Sequence, residues 1–239
     1  MGRAFEYRKA RKMKRWSNMA KAFTRVGREI SIAVKEGGGD PEYNPRLRMA
    51  IQNAKAANMP KTNIDNAIAK ALGKYSANYT EIVYEGYAPY GIAVLVETAT
   101  DNPTRTVANV RHIFTKYGGS LGTSGSVDYM FSRKGVFTIP KEAVGNLEEF
   151  EFEMIDHGLE EMKPEEEDII LYCDFADYGA LSKALDDKGI EVKESKLDRI
   201  SSVHKELADE QVEEVIKMIE KFEDDDDVLQ VFHTMDMSE

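Results

Sequence analysis

The 239-residue chain predicts an α+β protein: an N-terminal three-helix domain followed by two two-layer α/β domains, the third inserted in the second. Three observations carry this. The apolar period changes from helical to alternating near residue 79. The element count beyond that point leaves an unpaired helix and strand at the C-terminus. The charge reverses over the same stretch. Residues 1–75 hold 17 Lys and Arg against 6 Asp and Glu, a balance of +11, and the remaining 15 against 37 give −22, which together recover the formal −11.

The first helix is expected from about Arg8 to Lys35, ending at Gly37-Gly38-Gly39, where glycine accepts a left-handed cap. At 100° per residue Trp16, Met19, Phe23, Val26 and Ile30 share one stripe, and Lys14, Lys21, Arg25 and Arg28 lie nearly opposite. Asn44-Pro45 reads as an N-cap with proline at the first helical position. The second helix then places Leu47, Ile51, Ala54 and Ala57 on one face and stops before Pro60. Thr62 and Asp65 resemble a capping box for a third helix carrying Ile64, Ile68, Ala71 and Leu72. These three form a basic helical domain, residues 1–78.

Strands are expected at Glu81–Tyr87 and Gly91–Thr98, turning at Pro89. Ile92–Val96 is continuously apolar, as in a strand buried on both faces. Asn102-Pro103 starts a helix with Val107, Val110, Phe114 and Tyr117 inward. Val127, Tyr129 and Phe131 alternate like a strand. Beyond Gly135 the pattern gives a strand at Val136–Ile139, a helix at Leu147–His157, a strand at Ile169–Phe175, a helix at Tyr178–Lys188 and a strand at Ile190–Ile200. Asp209 is expected to cap a helix with Val212, Val215, Ile216, Ile219 and Phe222 inward, and Val228–His233 to form the last strand. The final helix and strand complete the first sheet if residues 134–204 are inserted into a domain of 79–133 plus 205–239. A contiguous domain over 134–239 is the alternative.

Chemistry is sparse. Neither G-x-x-x-x-G-K-[ST] nor a strand followed by G-x-G-x-x-G occurs. Gly119–Gly125 is glycine-rich but follows a helix and reads as an inter-element loop. His112, His157, His204 and His233 are scattered without ligand spacing, and the single Cys173 excludes an internal disulfide. Asp224–Asp227 lacks the alternation of a calcium loop and reads as a solvated connection. No nucleophile, base and orienting group assemble, so the reading is of a protein that is not an enzyme and uses no cofactor or metal. No apolar run nears the roughly 20 residues of a membrane span. A reducing, cytoplasmic setting and a monomer are expected.

The strongest signal is cationic. Arg8, Lys9, Arg11, Lys12, Lys14 and Arg15, followed by Lys21, Arg25 and Arg28, are expected to bind nucleic acid, extended by Arg46, Arg48 and Lys55. Lys and Arg neutralise phosphates and release condensed counterions, with Arg forking bidentately. Tyr7 could stack on bases, and so could Trp16, although its place on the apolar stripe favours packing against protein. No base-reading set can be picked out, so contacts should be to backbone.

Several stretches together resemble the YebC-like proteins. They are Glu36-Gly-Gly-Gly-Asp-Pro41, Asn44-Pro-Arg-Leu-Arg48, Tyr84-Glu-Gly-Tyr87, Asp101-Asn-Pro-Thr-Arg-Thr-Val107 with Val110-Arg-His112, Gly118-Gly119 through Gly122-Thr-Ser-Gly-Ser-Val127, and Phe131-Ser-Arg-Lys-Gly135. The resemblance implies the same three-domain fold with its insertion. It also implies a non-enzymatic regulator of gene expression, labelled in many members as a DNA-binding transcriptional regulator. Related bacterial and mitochondrial proteins look like ribosome-associated translation factors that help synthesis of difficult sequences such as proline runs. This chain opens with Gly2-Arg-Ala-Phe-Glu6 where many members have Gly-His-Ser-Lys-Trp, so no role of that histidine and serine carries over. DNA or ribosomal RNA, and through the latter the ribosome, are the expected partners; a scaffold contacting only protein is the reading from another class.

Overall fold

A computed structural model describes residues 19–73 and 76–237. Its helices and strands are α1 (Met19–Gly37), α2 (Pro45–Ala56), α3 (Lys61–Leu72), β1 (Thr80–Ala88), β2 (Ile92–Thr100), α4 (Pro103–Lys116), β3 (Ser120–Leu121), β4 (Phe131–Pro140), α5 (Leu147–Ile155), β5 (Leu159–Pro164), β6 (Asp168–Asp174), α6 (Tyr178–Asp187), β7 (Glu194–Ser201), α7 (Asp209–Glu223) and β8 (Val228–His233). The expected class is the observed one: a helical N-terminal region and two four-stranded sheets with helices, the second spliced into the first. Sheet one runs β3-β1-β2-β8, so its last strand comes from beyond the whole of sheet two, β5-β6-β4-β7.

Capping residues set the helix starts. Asn44 accepts from the Leu47 amide at 3.0 Å and Asn102 from that of Arg105 at 3.1 Å, each followed by proline. The box expected at Thr62 and Asp65 is not formed: Pro60 takes the N-cap position of α3 and offers no side-chain acceptor, while Thr62 already lies inside the helix. Ala208, one residue before the expected cap, begins α7, and Gln211 reaches back to accept its amide at 3.1 Å.

Sheet one is antiparallel throughout. β1 and β2 pair from Thr80↔Thr100 to Ala88↔Ile92, and β2 pairs β8 from Val94↔His233 with a bulge at Glu97/Thr98. On one face α4 and α7 seal Ile92, Val94, Val96 and Val228 beneath Val110, Phe114, Val215, Ile219 and Phe222. The Phe114 and Phe222 rings meet edge-on at 4.8 Å. On the other face Val127 and Phe131 close over Ala93, Leu95 and Phe232. That is why Ile92–Val96 is apolar at every position, as expected for a strand covered on both sides. A short β3 pairs β1 through Gly86↔Leu121. A Cβ on Gly86 would sit 2.5 Å from the Ser120 carbonyl oxygen, so only glycine admits this approach.

The alternation Val127, Tyr129, Phe131 is not a strand. Asp128–Met130 is a 3₁₀ turn that leaves Tyr129 exposed, and β4 starts at Phe131. The strand β5 was not expected; it pairs β6, which pairs β4. Phe137, Ile139, Ile169 and Leu171 pack with Phe150 and Met154 of α5 and Leu181 and Leu185 of α6.

By backbone proximity the chain forms two compact units. One takes the described residues of Met1–Arg28, Lys74–Ser132 and Ser201–Glu239; the other takes Glu29–Gly73 and Arg133–Ile200. Within the second, Met49 of α2 packs on the core of sheet two, and Ser195 donates to Gln52 at 2.9 Å.

Candidate nucleic-acid interface

The cations named from the sequence fall into three groups. Arg8, Lys9, Arg11, Lys12, Lys14 and Arg15 lie outside the described residues, as does Trp16. The second group, on α1, meets the acidic turn between α7 and β8. Lys21 Nζ is 2.7 Å from Asp224 Oδ1, and Arg25 donates to the Glu223 carbonyl. Arg28 donates to the Ala99 carbonyl at 2.7 Å and to Asp227 Oδ1 at 2.9 Å, with its guanidinium 5.2 Å from the Tyr79 ring centroid. The row expected to face outward is a docking face, and the turn expected to be a solvated connection is what it docks on. The spacing i, i+4, i+7 that aligned the cations for phosphate aligns them equally for carboxylate and carbonyl oxygen.

Asp227 is the centre of this contact and is 3% exposed. It accepts from Arg105 Nη2 and Thr106 Oγ1, each at 2.8 Å, and from Thr100 Oγ1 at 3.3 Å. Burial alone would push its carboxyl up; the hydrogen bonds from Arg105, Thr106 and Arg28 outweigh that and hold it below the ordinary aspartate range. Neither turn nor cap is incidental, because Thr106 and Arg105 are placed by the Asn102-Pro103 start of α4.

The third group borders the loop between α1 and α2. Arg46 Nη1 pairs with Glu36 Oε2 at 2.6 Å, and Arg48 donates to the carbonyls of Pro41 at 3.0 Å and Glu42 at 3.2 Å. Lys55 is exposed and its side chain has no ion-pair or hydrogen-bond partner among the described residues.

The glycine-rich loop is occupied from within. The Glu85 carboxylate, 5% exposed, accepts the amides of Gly125 at 2.6 Å, Val127 at 2.7 Å and Asp128 at 2.9 Å. Gly125 has φ +82°, a conformation that suits glycine. These amides already hold an anion, so the segment is pinned to sheet one rather than open to phosphate through those donors.

Arg111 and His112, which are not among the cations named from the sequence, stand exposed on α4, as do Thr115 and Lys116. The signal available was the total lack of Asp and Glu in Pro103–Lys116, inside the acidic part of the chain. Among the described residues no group of three or more His, Cys, Asp or Glu converges as a metal site would require. Cys173 is buried in sheet two, and burial pushes its thiol up to about 12. No described helix is long and apolar enough to cross a membrane.

Fold and surface together define a multidomain α+β protein. Residues 3–74 match the TACO1/YebC protein N-terminal domain, and residues 79–235 match the TACO1/YebC second and third domain. The chain belongs to the TACO1/YebC family. It is 55% identical over 235 residues to a "Probable transcriptional regulatory protein" of Flavobacterium johnsoniae, covering 98% of this chain and 99% of that one. A protein of the same name from Porphyromonas gingivalis is 56% identical, covering 98% and 97%. The crystal structure of a conserved hypothetical protein from Aquifex aeolicus superposes with a TM-score of 0.78 at 40% identity, covering 91% and 90%.

Proposed function

We propose that this chain is a non-enzymatic, nucleic-acid-binding regulator of gene expression, with contacts chiefly to the sugar–phosphate backbone. The observation that carries the reading is the charge reversal along the chain, +11 over residues 1–75 against −22 over the rest. The names of its relatives support regulation. Docking of Lys21, Arg25 and Arg28 on the acidic turn shifts the main contact to the six cations of Arg8–Arg15. Six cations within eight residues concentrate enough positive charge in one short segment to neutralise several phosphates and release their counterions.

The acidic remainder favours one kind of target. A −22 body repels a long uniform polyanion and tolerates phosphates presented locally. This supports a second reading, a ribosome-associated translation factor bound to ribosomal RNA, over a protein that coats a DNA duplex.

The test is binding of the full chain to ribosomal RNA and to a DNA duplex across a salt series. With about six phosphates engaged, log K should fall against log salt with a slope near −5 on the duplex. Glutamine at Arg8, Lys9, Arg11, Lys12, Lys14 and Arg15 should remove most of that slope. A flat salt response overturns the proposal, and co-sedimentation with ribosomes that RNase abolishes selects the second reading.

A further inference from the structure

The backbone-binding reading accounts for the N-terminal cations but leaves α4 without a role. Its fourteen residues contain three cations and a histidine and no carboxylate. Yet residues 76–239 hold 37 of the 43 acidic residues, the other six lying in 1–75. A carboxylate-free helix in such surroundings is the exception on this part of the chain.

Its two ends differ. Near the start, Arg105 is bound to Asp227 and Asp101, and Asn109 donates to Asp225 at 3.2 Å. Further on, Arg111 and His112 are exposed and have no hydrogen-bond or ion-pair partner among the described residues. Lys116 is exposed, its Nζ 5.8 Å from the Tyr117 ring centroid. Thr115 adds a hydroxyl. By contrast Lys21, Arg28, Lys134, Lys188 and Lys193 each have a carboxylate partner. The inward side of the same turns, Val110, Ile113 and Phe114, is buried, so the outward side chains stand on a fixed helix.

We propose that Arg111, His112, Thr115 and Lys116 form a second contact for the backbone of folded RNA, resting on the nucleic-acid reading above. The chemistry selects this occupant. The outward face of α4 carries no large exposed apolar side chain, so it lacks the anchor that a protein interface is built around. Cations with a hydroxyl and an imidazole suit phosphate and ribose oxygens. The carboxylates of Asp101 and Asp225, held against Arg105 and Asn109 in the first half of the helix, confine the footprint to its last turns. A continuous DNA duplex crossing the helix would carry its phosphates over those carboxylates; RNA that presents one or two phosphates would not.

The experiment uses the full chain with Arg111→Glu/Lys116→Glu, titrated with ribosomal RNA, a DNA duplex and polyglutamate. Expected are a loss of RNA affinity of tenfold or more, a salt slope shallower by about one unit or more for the two lost cations, and an unchanged melting temperature. Arg111→Gln/Lys116→Gln replaces the reversal if that variant fails to fold, and should give a smaller loss in the same direction. No RNA binding by the unaltered chain overturns the functional reading itself. Unaltered RNA affinity in both variants, with the unaltered chain binding well, overturns only the α4 contact. Equal loss on the DNA duplex overturns the RNA preference, and loss confined to polyglutamate makes the face a protein contact instead.

Discussion

Glu85 and Val127 lie far apart in sequence, and the buried Glu85 carboxylate accepts the Val127 amide at 2.7 Å while also holding Gly125 and Asp128. Two motifs that read separately, Glu-Gly-Tyr in β1 and the glycine-rich stretch, are thus halves of one device. Glu85→Gln keeps the shape but turns one acceptor into a donor facing N–H groups. Loss of a charged acceptor from buried amides should cost about 2–3 kcal/mol. Thermal unfolding and faster hydrogen exchange at Gly125, Val127 and Asp128 check this.

Asp227 gives the chain an acid-sensitive joint. Its folded carboxyl lies below the ordinary value, so its contribution is complete above the unfolded aspartate pKa near 3.9 and is lost as pH falls through the folded value. Stability measured from pH 7 downward should therefore decline below about pH 4 partly through this group. Asp227→Asn should flatten that limb. At pH 7 the same change should cost about 3 kcal/mol, because Arg28 and Arg105 lose a shared anion.

The α1 cations should separate by burial. Lys21 and Asp224 are both substantially exposed, and Lys21→Ala should cost no more than about 0.5 kcal/mol. Arg28, with 14% of its side chain exposed against 4% for Asp227, should cost about 2–3 kcal/mol as alanine. Denaturant midpoints for the two variants settle the order. A variant at Arg28 that loses binding will thus have lost docking first, unlike one at Arg111.

Cys173 should be inert in the folded protein. Burial raises its thiol to about 12, so almost no thiolate exists near neutrality. A colourimetric thiol reagent at pH 8 should label it at least a hundredfold more slowly than in denaturant. Rapid labelling without unfolding would contradict the buried placement.

Most elements were legible because their signals are local. Asn44-Pro45 and Asn102-Pro103 declare helix starts through a side-chain acceptor and a missing amide, both of which the structure uses. The return of β8 to sheet one was legible from element counting alone. The failures are where a distant partner decides. Tyr129 alternates correctly for a strand, but Glu85 holds the adjacent Asp128 amide and the segment turns. Edge strand β5, with Glu160, Glu161 and Lys163, lacks the apolar alternation that marks a strand. The fate of Lys21, Arg25 and Arg28 depended on where Asp224–Asp227 would fold, and helical spacing does not encode that.

The splice of one sheet into another also fixes a timetable. Every strand of sheet two has left the ribosome by Ser201, whereas sheet one, begun first at Thr80, waits for α7 and β8. A nascent chain of which only the residues up to Ser201 had emerged would own all four strands of the second sheet and a first one still lacking α7 and its last strand, with Val94 and Val96 covered by α4 alone. The earliest-started layer is the last to mature, and its exposure to chaperones or proteases lasts until the final residues emerge.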